Sequence, residues 1–282
     1  MPRSGRASSG RCGRFPGLSV RFFPFSTATP SQTGFFFGLD ETWARQRLVP
    51  LFSHSDREIF DQTWDGFLAW GRLYPALADA LIPAFVAALP RLDEDLSRRR
   101  QRFTEFYTAL VVFHVSDPKA QLLPELFKYG SPEDLLSFAS HLGYFLKNMD
   151  TATRQQLWTR WLQDYWRDRL QAIPKPLDDA EIRAMREWLP ALDDAFPEAV
   201  SLVLRSPAVP VEHAHFLYQL KESDLVTRFP LDTTDLIIYL TKCIPSYQTG
   251  ELAQVAKRLT NIPPEVAYTL DEALAKIGVK RN

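Results

Sequence analysis

The side chains able to do acid–base, nucleophilic or metal chemistry are five histidines, two cysteines and scattered carboxylates, and spacing decides what they can do together. Zinc hydrolases hold their ion with two His four apart on one helix face and a Glu between them. None of His54, His114, His141, His213 and His215 forms such a pair. His213 and His215 are two apart, so a helix would point them nearly to opposite sides. In an extended loop after Pro210 they could ligate together; the simpler expectation is one facing solvent and one at the edge of the core. His114 lies just before Ser116-Asp117-Pro118, placed to meet the carbonyl end of its helix. No Gly-x-Ser-x-Gly elbow occurs, and Cys243 sits in the apolar tail of residues 236–244 as a packed small residue. Acid pairs such as Asp178-Asp179 and Asp193-Asp194 complement helix dipoles and need no catalytic role. The glycines after residue 40 are too dispersed to cradle a phosphate. The upstream segment from Gly5 to Gly10 has neither a strand before it nor a helix after it. The expectation is a chain that is not an enzyme, with no catalytic residue, cofactor or metal.

Two basic patches are candidates for binding. Arg98, Arg99, Arg100 and Arg102 follow Asp93-Glu94-Asp95, so the spacing predicts helical Glu94–Arg98 and Asp95–Arg99 pairs worth ~0.2 to 0.5 kcal/mol each. Arg100 and Arg102 are then left to meet phosphate or an acidic partner. In the second patch, Leu157, Trp158, Trp161, Leu162, Tyr165 and Trp166 cover one half of a helical wheel, and Arg160 and Arg167 share the other. Exposed rings beside arginines would stack bases. Aromatics at helical spacing more often form core, and core is the expectation here. Arg98, Arg100, Arg102, Arg160 and Arg167 are thus the candidate partner-contacting residues.

These residues need helices to position them. From Asp40 onward apolar residues recur at three- and four-residue spacings, with Pro, Ser, Thr or Asp at nearly every break. Ser55-Asp56-Arg57-Glu58 reads as a capping box, Ser131-Pro132-Glu133-Asp134 as a cap before a first-turn proline, and Asp178 as a third start. After Ser55, residues Ile59, Phe60, Thr63, Trp64, Phe67, Leu68 and Trp70 share the predicted core face. The breaks predict helices over 41–52, 55–71, 75–89, 92–115, 119–129, 132–148 and 151–171, then over 179–191, 195–205, 213–223, 232–243, 250–260 and 264–277. Strand signals are short and lack hairpin turns. The fold class is all-α: stacked antiparallel helical hairpins, as a HEAT-like solenoid or an irregular multi-helix bundle.

Residues 1–39 differ from the 40–282 helical domain. They carry Arg3, Arg6, Arg11, Arg14 and Arg21 with no acid before Asp40, and are rich in Ser, Gly and Pro. They read as a disordered arm, or as a mis-annotated start to a fragment of a longer chain.

Lys plus Arg number 33 against 34 Asp plus Glu, so any nucleic-acid binding must come from a local patch rather than from net charge. No run reaches the ~18 apolar residues of a membrane span. The best, residues 77–89, is shorter and contains Asp79. Two distant cysteines fit a reducing, cytoplasmic setting.

Trp43, Leu48-Val49-Pro50-Leu51-Phe52, Trp64-Asp65-Gly66-Phe67-Leu68, Trp70-Gly71 and Pro75 carry a resemblance. This segment is similar to uncharacterised helical regions found C-terminal to sirtuin-like NAD-hydrolysing domains of bacterial proteins, some of them in antiphage defence. Phe196-Pro197-Glu198-Ala199-Val200 and Phe216-Leu217-Tyr218-Gln219-Leu220 extend the likeness to most of residues 41–280. The resemblance implies a helical region that senses or binds something beside an NAD-consuming domain. No Gly-Ala-Gly motif of that domain is present, so its chemistry carries over to no residue here. The expected function is a non-catalytic interaction module with a protein partner; the alternative is nucleic-acid binding through the arginines.

Overall fold

Proline and short polar side chains cut this sequence into helices whose apolar stripes can only be buried against one another. The computed structural model describes residues 32–212 and 215–281, and among them no strand occurs. The first helices are α1 (Thr33–Leu39), α2 (Glu41–Arg47), α3 (Arg57–Trp70), α4 (Pro75–Ala88) and α5 (Arg100–Ala109). There follow α6 (Pro118–Gln121), α7 (Leu123–Tyr129), α8 (Pro132–Asn148), α9 (Thr151–Leu157), α10 (Gln163–Leu170) and α11 (Asp179–Arg186). The chain ends with α12 (Phe196–Arg205), α13 (His215–Glu222), α14 (Leu225–Arg228), α15 (Pro230–Leu240), α16 (Thr249–Lys257) and α17 (Pro264–Lys276). A wider π-helical turn, Leu110–His114, extends α5, and a second, Trp158–Leu162, joins α9 to α10. The fold is all-α, as expected from the apolar period.

Several helix starts follow their sequence signals. The Ser131 hydroxyl accepts from the Asp134 N–H at 3.3 Å while the Asp134 carboxylate accepts from the Ser131 N–H at 2.9 Å, a full capping box at α8. The Asp178 side chain accepts from the Ala180 N–H at 2.8 Å. At α3, however, the cap is Asp56 and not Ser55: its carboxylate takes the N–H groups of Glu58 (2.9 Å) and Ile59 (3.4 Å). An ionised carboxylate is the stronger acceptor, and Nδ1 of His54 accepts the Asp56 N–H at 3.0 Å in place of a returning Glu58.

Residues 92–99, expected to begin a long helix, instead form turns ending in a 3-10 segment, Ser97–Arg99. A partner from α3 wins here: the Asp95 carboxylate is held by Arg57 at 2.7 Å, with Arg91, one turn back in the chain, at 2.6 Å. Helical structure also begins before Asp40. Phe37 of α1 is buried, its ring edge-on to Tyr74, and the Tyr74 hydroxyl donates to the Gly34 carbonyl at 3.0 Å. The expected boundary at residue 39 is thus too late by one helix; residues 1–31 lie outside the described residues. Trp70, placed on the core face by its wheel position, ends α3 with 77 % of its surface exposed, because the helix stops at Gly71 before a covering element arrives.

Nearly all the buried apolar residues form one continuous core. Trp64 lies at its N-terminal end among Phe52, Phe67, Phe85 and Phe103, and its indole N–H donates to the Phe52 carbonyl at 3.0 Å. Trp158, Trp161, Tyr165, Trp166 and Trp188 form a second aromatic group. Trp188 donates to the Ala139 carbonyl at 2.9 Å and so locks onto α8. Gly143 makes that approach feasible, since a β-carbon there would lie 2.9 Å from the indole. α10 and α11 are tied by a fully buried ion pair in which Arg169 donates to both Glu181 oxygens, at 2.9 and 2.6 Å.

Candidate functional site

The longest helix, α8, packs against α5 on one side and α11 on the other. Its outward face repeats at four-residue intervals through Leu136, Ser140 and Tyr144, which are half-buried or exposed. This face is the floor of a trough with two connected cavities that share Leu136 and Ser140.

The cavity on the α5 side encloses about 550 Å³, and Arg98, Gln101, Ser137 and His141 line it. Ser137 Oγ lies 3.3 Å from His141 Nδ1, one helical turn on. Burial lowers the His141 pKa, and Glu105 pushes it back upward. A nucleophile needs donors facing the oxyanion it creates. Ser137 sits inside α8, where the backbone N–H groups serve the helix ladder, so none of them is free to face such an oxyanion.

The cavity on the α11 side encloses about 430 Å³ and brings together Arg183, Arg186, Glu187, Glu212 and His215. Arg183 pairs with Glu212 at 3.0 Å. Burial raises the Glu187 pKa against the opposing pull of Lys147, which lies 3.8 Å away, and of His215. Arg186 makes no ion pair among the described residues; both its Nη atoms donate to the Val209 carbonyl oxygen at 3.2 Å.

Of the five arginines singled out by sequence, Arg98 is exposed on the trough rim without a partner among the described residues. The expected Glu94–Arg98 and Asp95–Arg99 pairs do not form, since Arg99 goes to Asp65 at 3.2 Å. Arg100 is not left over: it grips Asp134 through Nε and Nη2 at 2.6 Å each, with Asp93 as a third contact, and fastens α5 to the start of α8. Nor is Arg102, which donates to the Leu68 carbonyl at 3.2 Å and to Glu105 at 2.5 Å and lies over the Phe106 ring. Arg160 donates to the Val112 carbonyl at 3.3 Å, in the π-turn that follows α5. The wider turn displaces carbonyls from the regular helical ladder, which leaves one for Arg160 to take. Arg167 pairs with Asp164 at 3.0 Å. The rings of Trp158, Trp161, Tyr165 and Trp166 are core, as their spacing predicts.

The trough residues Ser137, His141, Arg183, Arg186 and Glu187 carried no motif. One signal was present: Arg186 falls in register with Ile182 and Leu189, on an apolar stripe where a charge should not be. His213 lies outside the described residues. His215 stands at the cavity mouth, exposed. His114 ends its π-turn half-buried, and burial lowers its pKa while Asp79 pulls it up. Cys243 is buried and unpaired among the described residues. Among the described residues no group of three or more His, Cys, Asp or Glu is arranged to hold a metal ion, and no helix is long and apolar enough to cross a membrane.

A family model for a domain of unknown function, DUF4020, matches residues 109–261, more than half of the chain and inclusive of α8, α11 and α13. No curated protein and no solved structure matches.

Proposed function

This chain belongs to the DUF4020 family, and from that footing we propose that it is a recognition module which binds a protein partner along the α8 trough without converting it. The carrying observation is how the charges are spent. Three of the five sequence-flagged arginines, Arg100, Arg102 and Arg160, are committed to holding helices together and Arg167 to an ion pair within α10, while Arg98, Arg186, Ser140 and His141 line the trough with hydrogen-bonding capacity to spare. Such a concave surface, with a few polar groups set in apolar walls, is what ligand and partner sites have in common.

The resemblance of residues 43–85 to helical regions beside sirtuin-like NAD-consuming domains supports a bacterial effector of that kind as the partner, encoded separately or in the same chain, within a defence system. A buried free Cys243 fits a reducing cytoplasm. Affinity capture from native cells with the wild-type chain should recover a stoichiometric partner, and Ser140→Arg, an exposed change on the trough floor, should lose it. Capture unaffected by Ser140→Arg sinks the trough as the interface. Nucleic-acid binding is the competing reading. It predicts an affinity that falls steeply with salt, and an affinity for DNA or RNA lost on Arg98→Ala would favour it.

A further inference from the structure

We infer that the cavity between α8, α11 and α13 is a binding site for a small organic anion, a carboxylate or phosphate on an apolar body, with Arg186 as its charge partner. The inference rests on the trough being a binding face and adds a ligand class to it. Arg186 is only 3 % exposed, yet it makes no ion pair with any described residue. The other arginines folded into this structure show how the chain neutralises such a charge: Arg169 is held in a fork by Glu181, and Arg100 by Asp134. Arg186 has one backbone oxygen shared by two nitrogens, and beside it Cys243 and Tyr239.

Neither neighbour supplies a negative charge. Burial pushes the Cys243 thiol up, and the Tyr239 hydroxyl up to about 12. Glu187, next in sequence, attracts Arg186 but makes its own pair with Lys147, and Glu212 is taken by Arg183. The carbonyl end of α11 offsets part of the guanidinium charge. No carboxylate among the described residues pairs with it directly, and a buried charge without a direct partner is costly to keep. His215 adds a second donor at the mouth. Buried Val211 and Phe216, with half-buried Leu136, form an apolar wall opposite these donors. The volume, about 430 Å³, falls among those of small-molecule sites. A planar carboxylate or a phosphate matches the guanidinium fork, and the wall suits a ring or short chain.

Isothermal titration of the full chain with phenyl phosphate, benzoate, inorganic phosphate and benzyl alcohol tests this. One of the two aromatic anions should bind at one site per chain, and which of them binds more tightly assigns phosphate or carboxylate. Inorganic phosphate should bind more weakly and benzyl alcohol not measurably. Arg186→Gln, its fold checked by circular dichroism, should weaken binding by about tenfold or more. Ala180→Phe fills the cavity from a half-buried wall position without touching any charge, and should abolish binding even if Arg186→Gln fails to fold. Flat isotherms with both aromatic anions overturn the inference, as does unchanged affinity in either folded variant, or inorganic phosphate binding as tightly as phenyl phosphate. Flat isotherms alongside partner capture that is lost in Ser140→Arg would leave the recognition reading standing and this one refuted.

Discussion

Arg169 and Glu181 are both 1 % exposed, so neither can fall back on water if the other is removed. Breaking a buried pair from one side costs ~3 to 5 kcal/mol, whereas replacing both members by apolar groups costs far less. Urea denaturation should therefore show Arg169→Met strongly destabilised and Arg169→Met/Glu181→Leu substantially recovered. A double variant as weak as the single one would mean that the Arg169 contacts to the Lys175 and Pro176 carbonyls matter more than the pair. Glu187 behaves in the opposite sense. Burial raises its pKa above that of the unfolded chain, so the folded protein holds this proton more tightly. The stability this contributes is complete below the unfolded carboxylate pKa and is lost as pH rises through the folded one. Glu187→Gln cannot ionise. Its melting temperature should match wild type near about pH 4 and exceed it near about pH 8; a constant difference across that range would contradict this. Local spacing rules could not have found these roles. Asp134 lies 34 residues from Arg100 and Asp193 39 from Arg154, so which arginines are spent and which stay free is decided by tertiary neighbours.

Helix boundaries separate two kinds of sequence signal. Where a cap faces solvent and its partners are within three residues, as at Ser131 and Asp178, the start was legible. Where a remote partner competes, it was not: Arg57 of α3 draws Asp95 out of the helix expected over 92–115, and α5 begins only at Arg100. The start of α3 tests this at one-residue precision. Asp56→Ala should cost ~1 kcal/mol, because two N–H groups lose their acceptor, while Ser55→Ala should be neutral. Chemical denaturation of the two variants distinguishes them, and equal losses would restore the Ser55 box. The trough depends on the same logic one step up. The start of its floor helix was readable from the Ser131 cap, but its walls come from α5 and α11, and no local pattern states which helices will flank a given one.

For the molecule as a whole, the three- and four-residue period was enough to fix an all-α fold, because a stripe of that period can be buried in few other ways. The N-terminal limit was less legible, since the Phe35-Phe36-Phe37 run has no alternation to read and reveals its role only when Phe37 meets Tyr74. A chain starting at Asp40 should consequently melt several degrees below one starting at Gln32, since it uncovers Tyr74 and the helices beneath it. Identical melting would return the boundary to residue 39. The placing of the indoles has an optical consequence. Trp43 and Trp70 are exposed and the other five are buried, so acrylamide should extinguish a minority of the emission, all of it from the first quarter of the chain. Because no indole follows Trp188, fraying confined to α16 and α17 would leave the spectrum unchanged, and a steady signal during such an event would reflect where the fluorophores stand rather than how firmly that end is held.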